Sequence, residues 1–232
     1  MLKLQSKIKY DNKFVTYFLT VLCCLINSLC AMSQTKVENK LPVNVAILVY
    51  DGVYLLDFAG PLEVFFDTYS EDNKHLFNVY TVSPTKEVNA HCGTKFIPDF
   101  EISSCPKPDI FVVPGGDLNL LKGNLKLREW LVSTVNNAQT VMSVCTGAFI
   151  LADAGFLDSL NITTWHGAMD NLKKAVPSAN VLKGVRYTDN GKIITTSGIS
   201  AGIDGTLYLV SKYFGKSVAD STAKYMDYEY WK

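Results

Sequence analysis

Cys145 lies at a junction between two sequence patterns that could present its thiol for chemistry. Residues 140–144 (TVMSV) form an apolar strand pattern, and residues 146–154 continue at once with a helix pattern. A thiol reacts as the thiolate, and a helix N-terminus favours that anion. Ser143 and Gly147 are small residues two positions before and after Cys145, a spacing that lets a strand turn sharply into a helix. Cys145 is therefore either a nucleophile on a sharp turn or a buried, inert part of the core.

Asp57 and the pair Gly115-Gly116 could serve the same chemistry. Asp57 lies among apolar residues in LLDFAGP, where a carboxyl group must be paired, protonated or functional. A protonated Asp57 could donate a hydrogen bond to a thiolate and later move a proton, whereas the alternative is a helix cap near Gly60. Gly115 and Gly116 either supply backbone N–H groups that stabilise a developing negative charge or form an ordinary turn after a strand.

His166, in TTWHGA, raises the question of a cysteine–histidine pair. A histidine beside a reactive cysteine is typical of cysteine hydrolases. The alternative is a histidine that packs beside Trp165 and merely lines a pocket. The spacing of the cysteines and histidines does not indicate a zinc site, and we expect no metal.

The elements that must position these residues alternate between strand and helix patterns. The strand patterns span residues 43–50, 77–83, 109–116 and 140–144, and residues 185–198 form a hairpin pattern around Asp189-Asn190-Gly191. The helix patterns span residues 60–69, 125–138, 146–154, 200–214 and 217–228, with Pro61 in the expected first turn. This alternation predicts a doubly wound, mostly parallel α/β sheet, in which ligands bind at the carboxyl ends of the strands. Asp57, Gly115-Gly116 and Cys145 all follow predicted strands and could converge there.

The N-terminal residues 1–33 have the layout of a secretory signal peptide. Four lysines precede the apolar stretch 14–29, and Ala31 and Ser33 are small residues before a cleavage site. A retained membrane anchor over residues 14–32 and a wrongly assigned start codon are the alternatives. We expect residues 34–42 to be a polar leader, residues 43–232 to be a single domain, and the mature protein to be periplasmic or secreted, or cytoplasmic if the start is wrongly assigned. Cys92, Cys105 and Cys145 would remain after cleavage, an odd number that leaves at least one thiol outside any intramolecular disulfide.

The charge balance excludes some classes of partner. The 232 residues carry 22 lysines and arginines and 22 aspartates and glutamates, a formal net charge of zero. No basic stripe or arginine cluster indicates nucleic-acid binding. We expect a small-molecule substrate, no nucleic acid, and no membrane association once the signal is removed.

Four motifs together resemble the ThiJ/PfpI superfamily, which is related to class I glutamine amidotransferases. They are LLDFAGPLEV, VVPGG, SVCTGAFILADAG and TTSGISAGIDGTL, and their order and spacing are those of the superfamily from about Val43 to Tyr230. Within it the sequence most resembles the isonitrile hydratase branch, which is also similar to the sensor domain of certain AraC-type regulators. The resemblance implies a flavodoxin-like three-layer sandwich with helices on both faces of the sheet, a homodimer, and no metal or organic cofactor.

The resemblance also implies roles for particular residues. Asp57, Cys145 and Thr146 match the essential residues of the hydratase, which adds water to an isonitrile to give an N-substituted formamide. Cys145 would attack the terminal carbon, Asp57 would move protons, and backbone N–H groups of Gly115, Gly116 and Thr146 would hold the polar intermediate. Trp165, His166 and Ile199 would line the pocket.

One departure from the hydratase pattern concerns His166. The branch has the order Thr-Thr-His-Trp, whereas this chain has Thr-Thr-Trp-His, which on a strand would turn His166 to the opposite face. The alternatives to a hydratase are a non-catalytic ligand- or redox-sensing domain and an amidase, peptidase or glyoxalase-like member of the superfamily.

Overall fold

A sheet of buried parallel strands forms the centre of the protein in the computed structural model, which describes residues 41–116, 119–120 and 122–231. The strands are β1 (Val43–Leu48), β2 (Phe77–Ser83), β3 (Val88–Asn89), β4 (Lys95–Phe96), β5 (Phe100–Glu101), β6 (Ile110–Val113), β7 (Thr140–Ser143), β8 (Asn161–Ile162), β9 (Asn180–Val181), β10 (Tyr187–Asp189) and β11 (Ile193–Thr196). The central sheet has the order β10-β11-β7-β6-β1-β2-β5, and within it only the β10–β11 pair is antiparallel.

The helices cover this sheet because its central strands β1, β6 and β7 bury their side chains on both faces. The helices are α1 (Leu55–Phe66), α2 (Leu125–Asn137), α3 (Gly147–Asp153), α4 (Met169–Ala175), α5 (Ala201–Phe214) and α6 (Lys216–Tyr225). The chain moves from β1 to β2 in one direction and from β6 to β7 in the other, so right-handed crossovers place α1 and α2 on opposite faces. Helix α5 packs against both α1 and α6, and α3 packs against α4. This doubly wound, mostly parallel arrangement is the fold class that the sequence predicts.

The first helix corrects the sequence prediction. The prediction of a helix over residues 60–69 with Pro61 in its first turn is wrong. Helix α1 begins at Leu55 and ends at Phe66, with Pro61 inside it. Proline has no N–H for the carbonyl four residues earlier, which here belongs to Asp57 in the first turn of the helix. The earlier start matters for the site, because it places Asp57 on a helix rather than in the preceding loop.

The predicted hairpin is present as β10 and β11, with Tyr187 opposite Thr196. The short pairs β3–β4 and β8–β9 and the helix α4 were not predicted from the sequence. Their strands have only two residues each, too short for a periodic pattern to be detected.

The proposed signal peptide over residues 1–33 and most of the leader over residues 34–42 lie outside the described residues. From Leu41 to Trp231, apart from residues 117, 118 and 121, no helix is long and apolar enough to cross a membrane. Across that same part of the chain no cluster of three or more histidine, cysteine, aspartate or glutamate side chains could hold a metal ion.

Candidate active site

A sharp turn between β7 and α3 carries Cys145. The residue has φ of 56°, in the left-handed region that side chains other than glycine seldom adopt. Gly147 makes the turn sterically feasible, because a Cβ atom at this position would lie 2.0 Å from the carbonyl oxygen of Val113 on the neighbouring strand. The small residue that the sequence places two positions after the cysteine is therefore required by the close approach of α3 to β6.

The backbone of Cys145 is fixed on both sides. Its N–H donates to the carbonyl of Ser197 at 3.0 Å, and its own carbonyl accepts a hydrogen bond from Oγ1 of Thr164 at 2.7 Å. Thr164 is fully buried, and only 3% of Cys145 is exposed. These two bonds hold a strained conformation that local sequence would not maintain alone, which is common at functional sites.

Asp57 approaches the turn from the first turn of α1 and is completely buried. Its Oδ2 accepts the backbone N–H of Gly115 at 3.0 Å. The Cys145 thiol lies close enough to lower the pKa of the carboxyl group, yet Oδ1 has no hydrogen-bond partner of ordinary geometry. Burial outweighs both favourable contacts and raises the pKa of Asp57 from 3.8 to about 6. Asp57 can therefore both give and take a proton near neutral pH.

The Cys145 thiol is held in its neutral form by the same surroundings. Burial, followed by the negative charge of Asp57, raises the pKa of the thiol from 9.0 to about 11. The backbone N–H groups of Ile199 and Thr146 interact with the sulfur and act in the opposite direction, because they favour the thiolate. Burial thus favours the protonated form of both groups, and the carboxyl group of Asp57 has the lower pKa of the two.

The hydrogen bonds of Gly115 and Gly116, the two glycines after β6, differ from the expectation that their N–H groups would bind a reaction intermediate. Val113 pairs with Ser143, so the chain continues with Gly115 and Gly116 beside Cys145. However, neither glycine offers a free N–H group for a reaction intermediate. The N–H of Gly115 is bound by Asp57, and the N–H of Gly116 donates to Oγ1 of Thr146 at 3.1 Å.

The glycines instead orient the two side chains that flank the sulfur. A Cβ atom at Gly115 would lie 2.6 Å from Oγ1 of Thr146 and 2.7 Å from Oδ2 of Asp57, so this position tolerates no side chain without displacing them. Thr146 occupies the N-cap position of α3, but its side chain makes no capping bond and accepts from Gly116 instead. Because this oxygen acts as an acceptor, its hydroxyl hydrogen remains available for a further hydrogen bond.

The residues predicted to line the pocket are only partly brought together. The ring of Trp165 lies over Gly198, where a Cβ atom would be 2.6 Å from the indole Cδ1, and beside it Ile199 adopts φ of 42°. His166 is exposed and begins a short 3-10 helix (His166–Ala168), with its ring 5.0 Å from that of Trp165 between centroids. The turn of His166 to the opposite face, which the order Thr-Thr-Trp-His would cause on a strand, therefore does not apply.

The backbone N–H of Ile199 is the functional group that the sequence did not reveal. The sequence named Ile199 only as a pocket residue, whereas its N–H is directed at the sulfur. His166, by contrast, is not among the described groups that influence the Cys145 thiol.

A comparison with models of protein families shows the family to which the chain belongs. Residues 43–212 match the model of the DJ-1/PfpI family. The chain belongs to this family. The match includes β1, the turn at Cys145, the glycine pair and all but the last two residues of α5, and so contains every group of the site described above.

Two kinds of characterised protein are similar to this family member. Isonitrile hydratase of Pseudomonas putida is 28% identical over 187 residues, which cover 80% of this chain and 78% of the hydratase. The HTH-type transcriptional regulator GbdR of Pseudomonas aeruginosa is 23% identical over 193 residues, which cover 83% of this chain and 52% of the regulator. The chain therefore spans most of the length of the enzyme but about half that of the regulator.

Solved structures agree on the fold. A ThiJ/PfpI family protein from Pseudomonas syringae has a TM-score of 0.72 at 24% identity, covering 82% of this chain and 78% of that chain. Oxidized DJ-1 of Toxoplasma gondii has a TM-score of 0.69 at 20% identity, covering 81% of this chain and all of that chain. At these identities the similarity establishes the flavodoxin-like architecture and nothing about the reaction.

Proposed function

We propose that this DJ-1/PfpI family member is a cysteine-dependent hydratase that adds water to the terminal carbon of a small isonitrile and gives an N-substituted formamide. The observation that carries the proposal is the buried pair of Asp57 and Cys145, which brings a nucleophile and a proton carrier with a pKa of about 6 together. The similarity to isonitrile hydratase along most of both chains supports this choice of reaction.

In the first half of the reaction, the Cys145 sulfur bonds to the terminal carbon of the isonitrile while its proton passes to Asp57. Asp57 then delivers this proton to the same carbon, and the product is a thioimidate on Cys145. The N–H groups of Thr146 and Ile199 stabilise the sulfur while it carries negative charge. A carboxyl group with a pKa near the working pH is suited to both transfers.

In the second half, Asp57 takes a proton from water as the water oxygen bonds to the thioimidate carbon. Asp57 passes the proton that it took from water to the nitrogen. The carbon–sulfur bond then breaks as the new hydroxyl group loses its proton to Asp57, and Asp57 returns that proton to the sulfur. The Thr146 hydroxyl, oriented by Gly116, donates a hydrogen bond to the attacked group. Atoms balance as one isonitrile plus one water giving one formamide.

The surface beside the site favours an apolar substituent on the isonitrile. Leu56, Trp165 and Ile199 are 43%, 39% and 40% exposed although they are large hydrophobic residues. Leu56 lies against the backbone of Gly60 together with Ile203 on α5, since a Cβ atom at Gly60 would contact both side chains. An alkyl or aryl group would remove the exposed apolar surfaces from water.

The test is to incubate the full-length chain with cyclohexyl isonitrile and follow N-cyclohexylformamide by NMR. We expect turnover by the wild-type chain and none by Cys145→Ala. The absence of formamide, or turnover that survives Cys145→Ala, would contradict the hydratase assignment.

A second candidate function is ligand or redox sensing, favoured by the similarity to GbdR over 83% of this chain. In that case the same site binds a small molecule, or Cys145 is oxidised, without catalytic turnover. Saturable binding of an isonitrile without formamide, or a sulfenic acid at Cys145 after mild peroxide, would support this function over the first.

We also propose that the protein is exported after removal of residues 1–33 and forms a homodimer. The basic and apolar layout of the N-terminus supports export, and the exposed apolar side chains of Leu55 and Phe66 on α1 support self-association. Mass spectrometry of the N-terminus and light scattering of the purified protein would test the two proposals separately. An intact Met1 or a monomeric mass would contradict them.

A further inference from the structure

Arg186 holds both ends of the short segment Ser197–Ser200, which follows β11. Its carbonyl accepts the N–H of Ser197 at 2.9 Å, and its Nη2 donates to Oγ of Ser200 at 3.1 Å. The carbonyl of Ser197 in turn accepts the N–H of Cys145. One arginine is thus connected to the segment that supports the turn at Cys145.

The segment contains Ile199 in an unfavourable conformation. A β-branched residue at φ of 42° needs surrounding contacts to hold it, because its Cβ approaches the backbone too closely. The N–H of Ile199 also interacts with the sulfur of Cys145 and lowers the pKa of the thiol. The contacts that hold Ile199 therefore matter for the site, although they lie away from it.

Ser200 uses its hydroxyl in an unusual way. It occupies the N-cap position of α5, where serine normally accepts a hydrogen bond from the first turn, yet its side chain makes no such bond. The hydroxyl accepts from Arg186 instead. The contact between Ser200 and Arg186 thus replaces a cap and connects the start of α5 with the residue that directly precedes β10.

Arg186 is itself oriented by a buried acid. Its Nε donates to Oδ2 of Asp204 at 2.8 Å, and its Nη2 bonds to the same oxygen. Asp204 is only 7% exposed and also accepts the hydroxyl of Tyr228 at 3.2 Å. A guanidinium held at two nitrogens has little freedom, which suits it to position a neighbouring loop.

We propose that Arg186, held by Asp204, is a positioning residue that fixes the Ser197–Ser200 segment and thereby directs the N–H of Ile199 at the Cys145 sulfur. This inference rests on Cys145 being the reactive thiol of the proposed function. It does not depend on the isonitrile as substrate, and its test uses no substrate.

The test measures alkylation of Cys145 by iodoacetamide at pH 8 in the full-length chain, with mass spectrometry of the peptide that contains Cys145. Loss of one hydrogen bond to the thiolate raises the thiol pKa by about one, which reduces the thiolate about tenfold. The more basic thiolate is also more nucleophilic, so the net rate falls about threefold. We expect this slower reaction in both Arg186→Met and Ser200→Ala.

The direction of the change separates positioning from simple loosening. A loosened segment would expose Cys145 and speed alkylation, whereas loss of the directed N–H slows it. Ser200→Ala retains the charge of Arg186 and removes no helix cap, so it tests the contact alone. Arg128→Met is the matched control, because Arg128 also bridges an aspartate, Asp153, but does not contact the segment, and its alkylation rate should equal that of the wild type.

Two results would overturn the inference. Wild-type or faster alkylation in Arg186→Met would show that the arginine does not position the N–H of Ile199. Slow alkylation in Arg186→Met with a wild-type rate in Ser200→Ala would show that the charge of Arg186 acts through space instead. Both results leave the hydratase proposal intact, since that proposal fails only in the turnover assay.

Discussion

Replacement of Asp57 by asparagine tests two properties of this carboxyl group separately. One is its role in proton transfer during the reaction, and the other is its effect on the free energy of unfolding. The side chain is fully buried, and its pKa is raised from 3.8 to about 6 mainly by burial. The ionised form is therefore less stable in the folded protein than in the unfolded chain. Asp57→Asn retains an oxygen that can accept the N–H of Gly115 but cannot ionise.

The size of the effect follows from linkage between proton binding and folding. Between pH 3.8 and about 6 the folded protein binds more protons at Asp57 than the unfolded chain does, so stability falls as pH rises. A pKa raised from 3.8 to about 6 corresponds to about 3 kcal/mol. This contribution is fully present below pH 3.8 and lost above the folded pKa. The buried amide nitrogen of asparagine adds a cost of about 1–3 kcal/mol that does not change with pH.

The assay is urea denaturation of wild type and Asp57→Asn from about pH 3.5 to about pH 8, which brackets the unfolded and folded pKa values. We expect the free energy of unfolding of the variant, relative to the wild type, to increase by about 3 kcal/mol across this range. The contributions of titratable groups that both proteins share cancel when the two free energies of unfolding are subtracted. Formamide production by the variant should be undetectable, because no group remains to move protons between Cys145 and the substrate.

Cys145→Ala is the control, since it also abolishes turnover but leaves Asp57 in place. Unlike Asp57→Asn, it should keep a fall in stability as pH rises, and the fall should be at least as large as in the wild type, because the thiol no longer lowers the pKa of Asp57. If the free energies of unfolding of wild type and Asp57→Asn differ by the same amount at both ends of the pH range, then the pKa of Asp57 is not raised in the folded protein. The assignment of Asp57 as proton carrier near neutral pH would then be wrong.

Further predictions concern the groups around this pair. For the wild type we expect kcat/KM for isonitrile hydration to rise with pH through about 6, because Asp57 must be ionised to accept the thiol proton; a flat profile from about pH 5 to about pH 7 would exclude this role. Gly115→Ala should lower kcat/KM at least about tenfold with an unchanged circular dichroism spectrum, because its Cβ would displace Thr146 and Asp57, and full activity would show that these contacts are not the reason for glycine. Thr146→Val keeps the side-chain shape but leaves the N–H of Gly116 unpaired, so kcat should fall about tenfold or more, whereas an unchanged kcat would remove the hydroxyl from the mechanism. His166→Ala should change kcat/KM less than about twofold, because His166 is exposed and contacts Trp165; a loss of about a hundredfold would instead restore a cysteine–histidine pair.

Sequence patterns were informative where an element is long and periodic. The strand β2 and the helix α5 follow the predicted ranges closely, because burial on both faces or along one face imposes a regular spacing of apolar residues. The start of α1 was not predictable in this way, since Pro61 suggested a first turn and only packing of Leu55–Phe66 against α5 favours the earlier start.

In the candidate site, too, the identities of the residues could be predicted from the sequence, whereas their hydrogen-bond partners could not. Asp57, Cys145 and Thr146 were identified from residue types, spacing and family resemblance, and the geometry brings them together. The glycines 115 and 116 were identified correctly as neighbours of the cysteine, but their N–H groups proved to be occupied by side chains. A sequence does not contain this information, because hydrogen-bond partners far apart in the chain depend on how β6, α1 and α3 approach one another.

The sequence alone determined the alternation of strands and helices, because the spacing of apolar residues depends on conformational preferences within a few residues. The sequence pattern also indicated a turn at Cys145, but contacts with Ser197, Thr164 and Val113, which are distant in the chain, hold its conformation. Only the tertiary structure decided that the pKa of Asp57 is raised, since this shift depends on the burial of its carboxyl group between Gly115 and Cys145. It also decided the role of Ile199, whose N–H reaches the sulfur because Arg186, Ser197 and Ser200 hold the segment in a conformation that isoleucine does not adopt by itself.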